Sequence, residues 1–426
     1  MWPFRKSGAH RVRTGAPWWL MHDGVGDAGV GLTETLRCDV AIIGAGITGA
    51  LVADALIASG RRIVVLDARE PAQGSTAAST ALLQYEIDTH LVDLVRLVGA
   101  ERAALAYRAC AASFARLETR LPELLPGAHY ERRPSLYVAS NEQDAVALQG
   151  EVAARRAIGL ACEWLDGAVL EQRYGIRRPG AILSALGAQV DPLRLTRSLL
   201  SACGRHGVRV FSRCRVTRIE TAGRELRLLT VGGAEVIANH AVVCAGYESL
   251  DFLAGEVAKV NNTFAFVTEP CAADSPTLRL PLVWESARPY LYARTTSDGR
   301  LIVGGEDVPF QSTAARDALL PRQVLRLTAK YRELFGADPP PIETAWAGSF
   351  AETRDGLPLI GTAPGQDPRV SYALCYGGNG ITYSVHAGDI VRAGIENRSH
   401  ELTDVFGFAR LGTEASRERQ KDRARS

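Results

Sequence analysis

No Cys-x-x-Cys pair occurs among the eight cysteines (Cys38, Cys110, Cys162, Cys203, Cys214, Cys244, Cys271 and Cys375), and no His-x-x-His accompanies them. Their scatter supports neither a zinc site nor a disulfide framework; it suits small core thiols in a reducing, cytoplasmic compartment. Long apolar runs are missing too, none approaching the roughly 18 residues of a spanning helix. After the basic start (Arg5, Lys6, Arg11, Arg13), Trp18-Trp19-Leu20-Met21 is cut off by His22-Asp23, too short for a signal-peptide core. It is expected to be an extended arm that packs its tryptophans on the body. Charge of one sign is also lacking: 49 Lys plus Arg against 47 Asp plus Glu leave +2, so no overall field draws in nucleic acid or an anionic membrane. No internal repeat is visible.

What the chain has in quantity is glycine, 41 residues against 20 prolines, without a collagen-like period. That excess asks for backbone that bends sharply or approaches a ligand closely. A length of 426 residues with 46% hydrophobic and 23% charged residues fits a soluble α/β chain of about two lobes.

The first periodic signal explains several of the glycines. Val40-Ala41-Ile42-Ile43 is an apolar run of the kind buried on both faces of a parallel sheet, and it ends on Gly44-Ala45-Gly46-Ile47-Thr48-Gly49. Ala50, Ala53, Leu56 and Ile57 then recur at helical spacing up to Ser59-Gly60, and Ile63-Val64-Val65-Leu66 ends on Asp67. In such a strand–helix–strand unit the three glycines permit, in turn, a tight turn, approach of a pyrophosphate and close helix–strand packing. The first helical amides face the phosphates, and Asp67 can accept hydrogen bonds from ribose hydroxyls. NAD and FAD both satisfy this unit. Residues 74–83 add a small-residue stretch suited to a phosphate and then a flat ring.

Further along, helices are expected near residues 91–121, 142–158, 191–204 and 321–335. Hairpins are expected around Gly232-Gly233 and Ser297-Asp298-Gly299. Ala241-Val242-Val243-Cys244-Ala245-Gly246 is a second buried strand stopping at glycine. Near the end come Asp355-Gly356-Leu357-Pro358-Leu359-Ile360-Gly361 and Gly377-Gly378-Asn379-Gly380-Ile381-Thr382, the latter opening a helix to about residue 395. Amides of Gly380, Ile381 and Thr382 at that helix start can stabilise negative charge on a ligand.

Taken together, residues 39–67, 74–83, 242–246 and the last two glycine clusters resemble the D-amino-acid oxidase superfamily of FAD-dependent amine and amino-acid oxidoreductases, particularly its glycine oxidase and sarcosine oxidase branch. Ser79 stands where that family usually has Asn. The resemblance implies a Rossmann-type FAD-binding domain (37–90, 185–250 and 342–400) interleaved with an antiparallel β-sheet substrate domain (91–184 and 251–341), an N-terminal arm (1–36) and a C-terminal tail (401–426), solvated over 416–426. It places FAD against Gly44, Gly46, Ile47, Thr48 and Gly49; Asp67, Ala68 and Arg69; Gly74, Ser75, Thr76, Ser79 and Thr80; Val216, Ala245 and Gly246; and Gly361, Gly378, Asn379, Gly380, Ile381 and Thr382. Tyr290, Tyr292, Phe350 and Gln84 are the residues expected near the isoalloxazine.

Several departures bear on substrate. Amino-acid-oxidising relatives clamp the substrate carboxylate with arginines at positions held here by Phe350 and Gly378, and guanidinium is the group whose fork fits a carboxylate. Their absence favours an amine over a free α-amino acid, with Glu352 available for a second ammonium, although Arg288 or Arg354 can still meet a carboxylate. Sarcosine oxidase attaches its flavin through a cysteine in the segment occupied here by Ser349-Phe350-Ala351, so FAD is expected to be non-covalent. Ile302 replaces the oxygen-activating lysine, which leaves dioxygen and a quinone-type carrier open as acceptor. A 2-hydroxy-acid dehydrogenase, with His386 as base, and a non-catalytic flavin-binding partner protein are the alternatives.

Overall fold

The computed structural model describes residues 13–24 and 29–412. Two large sheets dominate. One is built around the strand Leu36–Ile43, which lies parallel to Ile63–Leu66 on one side and to Glu235–Val243 on the other. Arg209–Phe211 extends it beyond Ile63–Leu66, and Val370–Leu374 pairs parallel to Glu235–Val243. The runs Val40–Ile43 and Ile63–Leu66 at its centre are continuously apolar because both faces are covered. On one face the helix Ile47–Ile57 is buried almost all round, between Pro192–Arg205 and Gly380–Ile395. Gly388 allows the last of these contacts, since a Cβ there would lie 2.5 Å from that of Ala55.

The second sheet has nine strands in the order Arg13–Gly15, Ile342–Glu352, Lys259–Pro270, Arg300–Pro309, Leu291–Thr295, Leu282–Glu285, Ser135–Val138, Gly180–Ser184 and Glu163–Asp166. Both expected hairpins form, at Glu225–Thr230 with Glu235–Val243 and at Leu291–Thr295 with Arg300–Pro309.

Four boundaries differ from the sequence-based expectation. Ile342–Glu352, assigned to the dinucleotide-binding unit, is a strand of the nine-stranded sheet because it pairs along its length with Lys259–Pro270. The helical stretch 91–121, assigned to the substrate unit, breaks at Gly99 into Leu91–Val98 and Ala100–Arg120, and Leu94, Ala106 and Phe114 share a core with Val40, Ile42 and Leu51. The helix expected from 321 begins at Thr313, capped by Ser312, with Pro321 inside it. Residues 401–412 are not a free tail: Leu402 and Phe406 are buried, and Arg410 is ion-paired with Asp355 in the interior. The solvated tail expected at 416–426 lies outside the described residues. The arm, expected to be extended, instead forms a helix over Trp18–Asp23; its tryptophans Trp18 and Trp19 are buried as expected.

Candidate active site

Between the two sheets runs a cavity of about 620 Å³. At one end the strand Leu36–Ile43 feeds the helix Ile47–Ile57 through Gly44, whose φ of +111° suits glycine and whose Cβ would strike the Cys244 carbonyl oxygen at 2.4 Å. Gly49 packs against the same turn, where a Cβ would lie 1.8 Å from Gly44 O. Asp67 closes the second strand and holds this corner, accepting from the amide of Ala45 at 2.7 Å and from that of Arg69 at 2.8 Å. Burial pushes its carboxyl up, opposed by these two amides. Thr76 Oγ1 accepts from the Ile47 amide at 3.0 Å, fixing the residue 74–83 loop to the helix start. Arg69 and Glu248 form a two-pronged ion pair at 2.7 and 2.9 Å beside them.

At the other end a second helix N-terminus opens on the cavity. Asn379 Nδ2 donates to Gln84 O at 3.2 Å and Glu86 O at 2.8 Å, and Thr382 Oγ1 donates to Gln84 O at 3.0 Å. These bonds tie the helix Gly380–Ile395 to residues 84–86; its first residues Gly380, Ile381 and Thr382 line the cavity, and as the first turn their amides have no partner within the helix. The nine-stranded sheet supplies the roof. Residues at alternate positions share a face, and Gly348 and Phe350 line the cavity together with Thr263, Tyr290, Tyr292 and Trp284. Tyr292 lies across Gly304, where a Cβ would meet its ring at 2.4 Å, and its hydroxyl is 3.2 Å from Thr263 Oγ1. Burial raises the phenol of Tyr292 to about 12 and that of Tyr290 well above its ordinary value, so both stay neutral.

Every residue expected near an isoalloxazine (Tyr290, Tyr292, Phe350, Gln84) lines this cavity, as do the expected nucleotide-side residues except two. Gly49 serves the turn from behind. Gly361 stands at φ +120° in the strand Leu359–Thr362, paired with Val370–Leu374 and away from the cavity. His386 is also elsewhere: it is buried, its Nε2 lies 2.7 Å from Ala109 O, and burial lowers it to about 4, so it supplies no base here. Sequence reading missed Asp88, Thr263 and Trp284. Trp284 stands directly opposite Tyr292 in the strand register, a pairing that single-strand periodicity does not reveal.

Two helix N-termini, a strand-end carboxylate and a flat aromatic-roofed slot fit one extended dinucleotide with a tricyclic ring. The sequence matches the family described as FAD dependent oxidoreductase (DAO) over residues 39–393. The chain belongs to that family. It is 26% identical to γ-glutamylputrescine oxidoreductase of Escherichia coli K12 over 373 residues, 84% of each chain. Glycine oxidase of Bacillus licheniformis is 24% identical over 373 residues, 83% of this chain and 92% of the relative. Among solved structures, glycine oxidase from Geobacillus kaustophilus superposes with a TM-score of 0.73 at 20% identity, covering 88% of this chain and 99% of that one. The chain is thus an FAD-dependent enzyme with the glycine oxidase fold. No helix among the described residues is long and apolar enough to cross a membrane.

Proposed function

We propose that the protein oxidises the C–N bond of an amine that carries no carboxylate on the reacting carbon, using non-covalently held FAD. The observation that carries this is the lining of the substrate end. Tyr290, Tyr292, Trp284, Phe350 and Gly378 surround it, whereas the arginines that line the cavity, Arg69, Arg215 and Arg218, stand with Asp67 and Glu248 at the nucleotide end. A free α-amino acid would leave its carboxylate without a bidentate partner and beside the Asp88 carboxylate, which also lines this end. The relative named for γ-glutamylputrescine supports an amine substrate.

FAD supplies the hydride acceptor. The chain's part is to position and to exclude water. Phe350 and the Tyr290–Tyr292 pair, with ring centroids 5.8 Å apart, wall off the reacting carbon. Gly380, Ile381 and Thr382 at the helix start would hold the flavin ring, and their amides would offset negative charge on it, each charge-assisted hydrogen bond contributing about 1.5–3 kcal/mol. No side-chain base is required when the amine enters neutral. Cys375 lines the cavity, but burial raises its thiol to about 12 and keeps it unreactive as a thiolate.

The test is anaerobic mixing of the yellow holoenzyme with alkylamines, α-amino acids and 2-hydroxy acids of matched size, following loss of the oxidised flavin spectrum. Amines should bleach it fastest. Faster bleaching by amino acids or hydroxy acids would refute the reading.

A further inference from the structure

Asp88 lines the aromatic end of the cavity, and the carboxyl groups of Glu352 and Asp307 stand close to it. Asp88 and Glu352 converge on Gly377, whose Cβ position would lie 3.2 Å from Asp88 Oδ2 and 3.8 Å from Glu352 Cγ. Asp307 comes from the neighbouring strand Arg300–Pro309, and its charge bears on both Tyr290 and Glu352. Asp88 Oδ2 accepts from the Gly378 amide at 3.1 Å, and Glu352 Oε2 accepts from Asn261 Nδ2 at 3.3 Å. Among the described residues none of the three forms an ion pair. Arg288 is the cation whose field reaches them, and its guanidinium lies over the ring of Tyr290, 4.8 Å from the ring centre.

A second observation points to a ligand. Asp307 Oδ1 is buried with no donor in hydrogen-bonding geometry, although the Thr263 and Tyr290 hydroxyls lie close enough to the carboxyl to favour its charged form. A buried acceptor left without a donor is costly, and native structures keep such atoms for a reason. Tyr290 and Tyr292 stand near it, and with Trp284 they line this end of the cavity with aromatic rings, a surface that attracts cations.

We propose that Asp88, Asp307 and Glu352 form a subsite for a second cationic group, so that the substrate is a diamine-type molecule with an ammonium a few carbons from the amine that is oxidised. This rests on the reading of the protein as an amine oxidoreductase. An incoming ammonium supplies the donor that Asp307 Oδ1 lacks and relieves the mutual repulsion of the three carboxylates. That repulsion, after burial, is what lifts Glu352 to about 7 and contributes to lifting Asp307 to about 6. Chain length between the two nitrogens then selects which carbon meets the flavin.

The test uses the full-length holoenzyme with α,ω-diaminoalkanes of three to six carbons and n-alkylamines of equal length. Binding to dithionite-reduced enzyme, which has no oxidised acceptor, is measured by calorimetry; kcat and KM are measured separately. Diamines should bind at least about tenfold more tightly, about 1.4 kcal/mol. The preference should appear in KM more than in kcat and fall towards unity in Asp307→Asn and Glu352→Gln. Equal binding of diamines and monoamines to the reduced wild type overturns the subsite, as does an unchanged preference in both variants. If the variants fail to fold, the wild-type comparison decides. Tighter diamine binding with no bleaching by any amine keeps the subsite and removes amine oxidation; bleaching by amines with equal binding does the reverse.

Discussion

Gly378 donates its amide to Asp88 Oδ2 at 3.1 Å, and a Cβ on Gly378 would stand 3.2 Å from that same oxygen. Any side chain at 378 therefore emerges against the acidic group. Gly378 has no positive φ that would forbid one. Gly378→Arg should set a guanidinium between Asp88 and Glu352, raise KM for diamines by about tenfold or more, and leave FAD bound. Steady-state kinetics and the visible spectrum of the purified variant check both halves.

Affinity for a dication should depend on pH. Glu352, raised to about 7, and Asp307, raised to about 6, are protonated in the empty site below those values, and a bound cation favours their ionised forms. The charged and titratable groups facing them are Asp88, Arg288 and Tyr290, with Lys259 opposite Glu352 on the adjacent strand. Binding to the reduced holoenzyme should strengthen as pH rises through about 6 to 7 and then level, with proton release on the acid side. Calorimetry in buffers of different ionisation enthalpy reads this directly, and a flat profile would contradict it.

Thr76→Val tests the hinge between the residue 74–83 loop and the first glycine helix. It removes the acceptor of the buried Ile47 amide, a loss of about 1–3 kcal/mol. Urea unfolding should report that loss, and ultrafiltration should recover more free FAD from the variant than from the wild type.

Arg410→Met should cost about 3–5 kcal/mol, because it strands the Asp355 carboxylate, which now accepts from Arg410 at 2.7 and 3.2 Å in the interior. Burial raises Asp355, but the Arg410 pair outweighs it and the net shift is downward. A carboxyl held low contributes stability above its unfolded value, about 3.9, and loses it as pH falls through the folded value. The wild type should therefore lose stability on acidification, and that acid-side loss should shrink in the variant. Thermal melts between about pH 3 and 7 measure it.

The nucleotide half of the cavity was legible because its signal is local. A buried strand, three glycines and Asp67 all fall within residues 40–67, and their physical roles follow from spacing alone. Gly361 shows the limit of that method: a glycine in the right neighbourhood served a strand pair instead. The substrate half was only partly legible, since Tyr290 and Tyr292 stood out on their own strand but Trp284, Thr263 and Asp307 arrive from neighbouring strands. Register shifts between Asn262 and Phe264 change which residues share a face. The fate of Ile342–Glu352 was hidden for the same reason, being decided by partners far away in sequence.

The order in which the sheets draw on the chain constrains how the protein can come into being. Arg13 pairs with Gly348, and Leu36–Ile43 waits for both Ile63–Leu66 and Glu235–Val243. Contacts closed over such long stretches pay their loop entropy before they are rewarded, which slows folding. Neither lobe is a contiguous stretch that could be cut out and expressed alone. During synthesis the strand at residues 36–43 can pair early with Ile63–Leu66, but its other edge waits some two hundred further residues for Glu235–Val243.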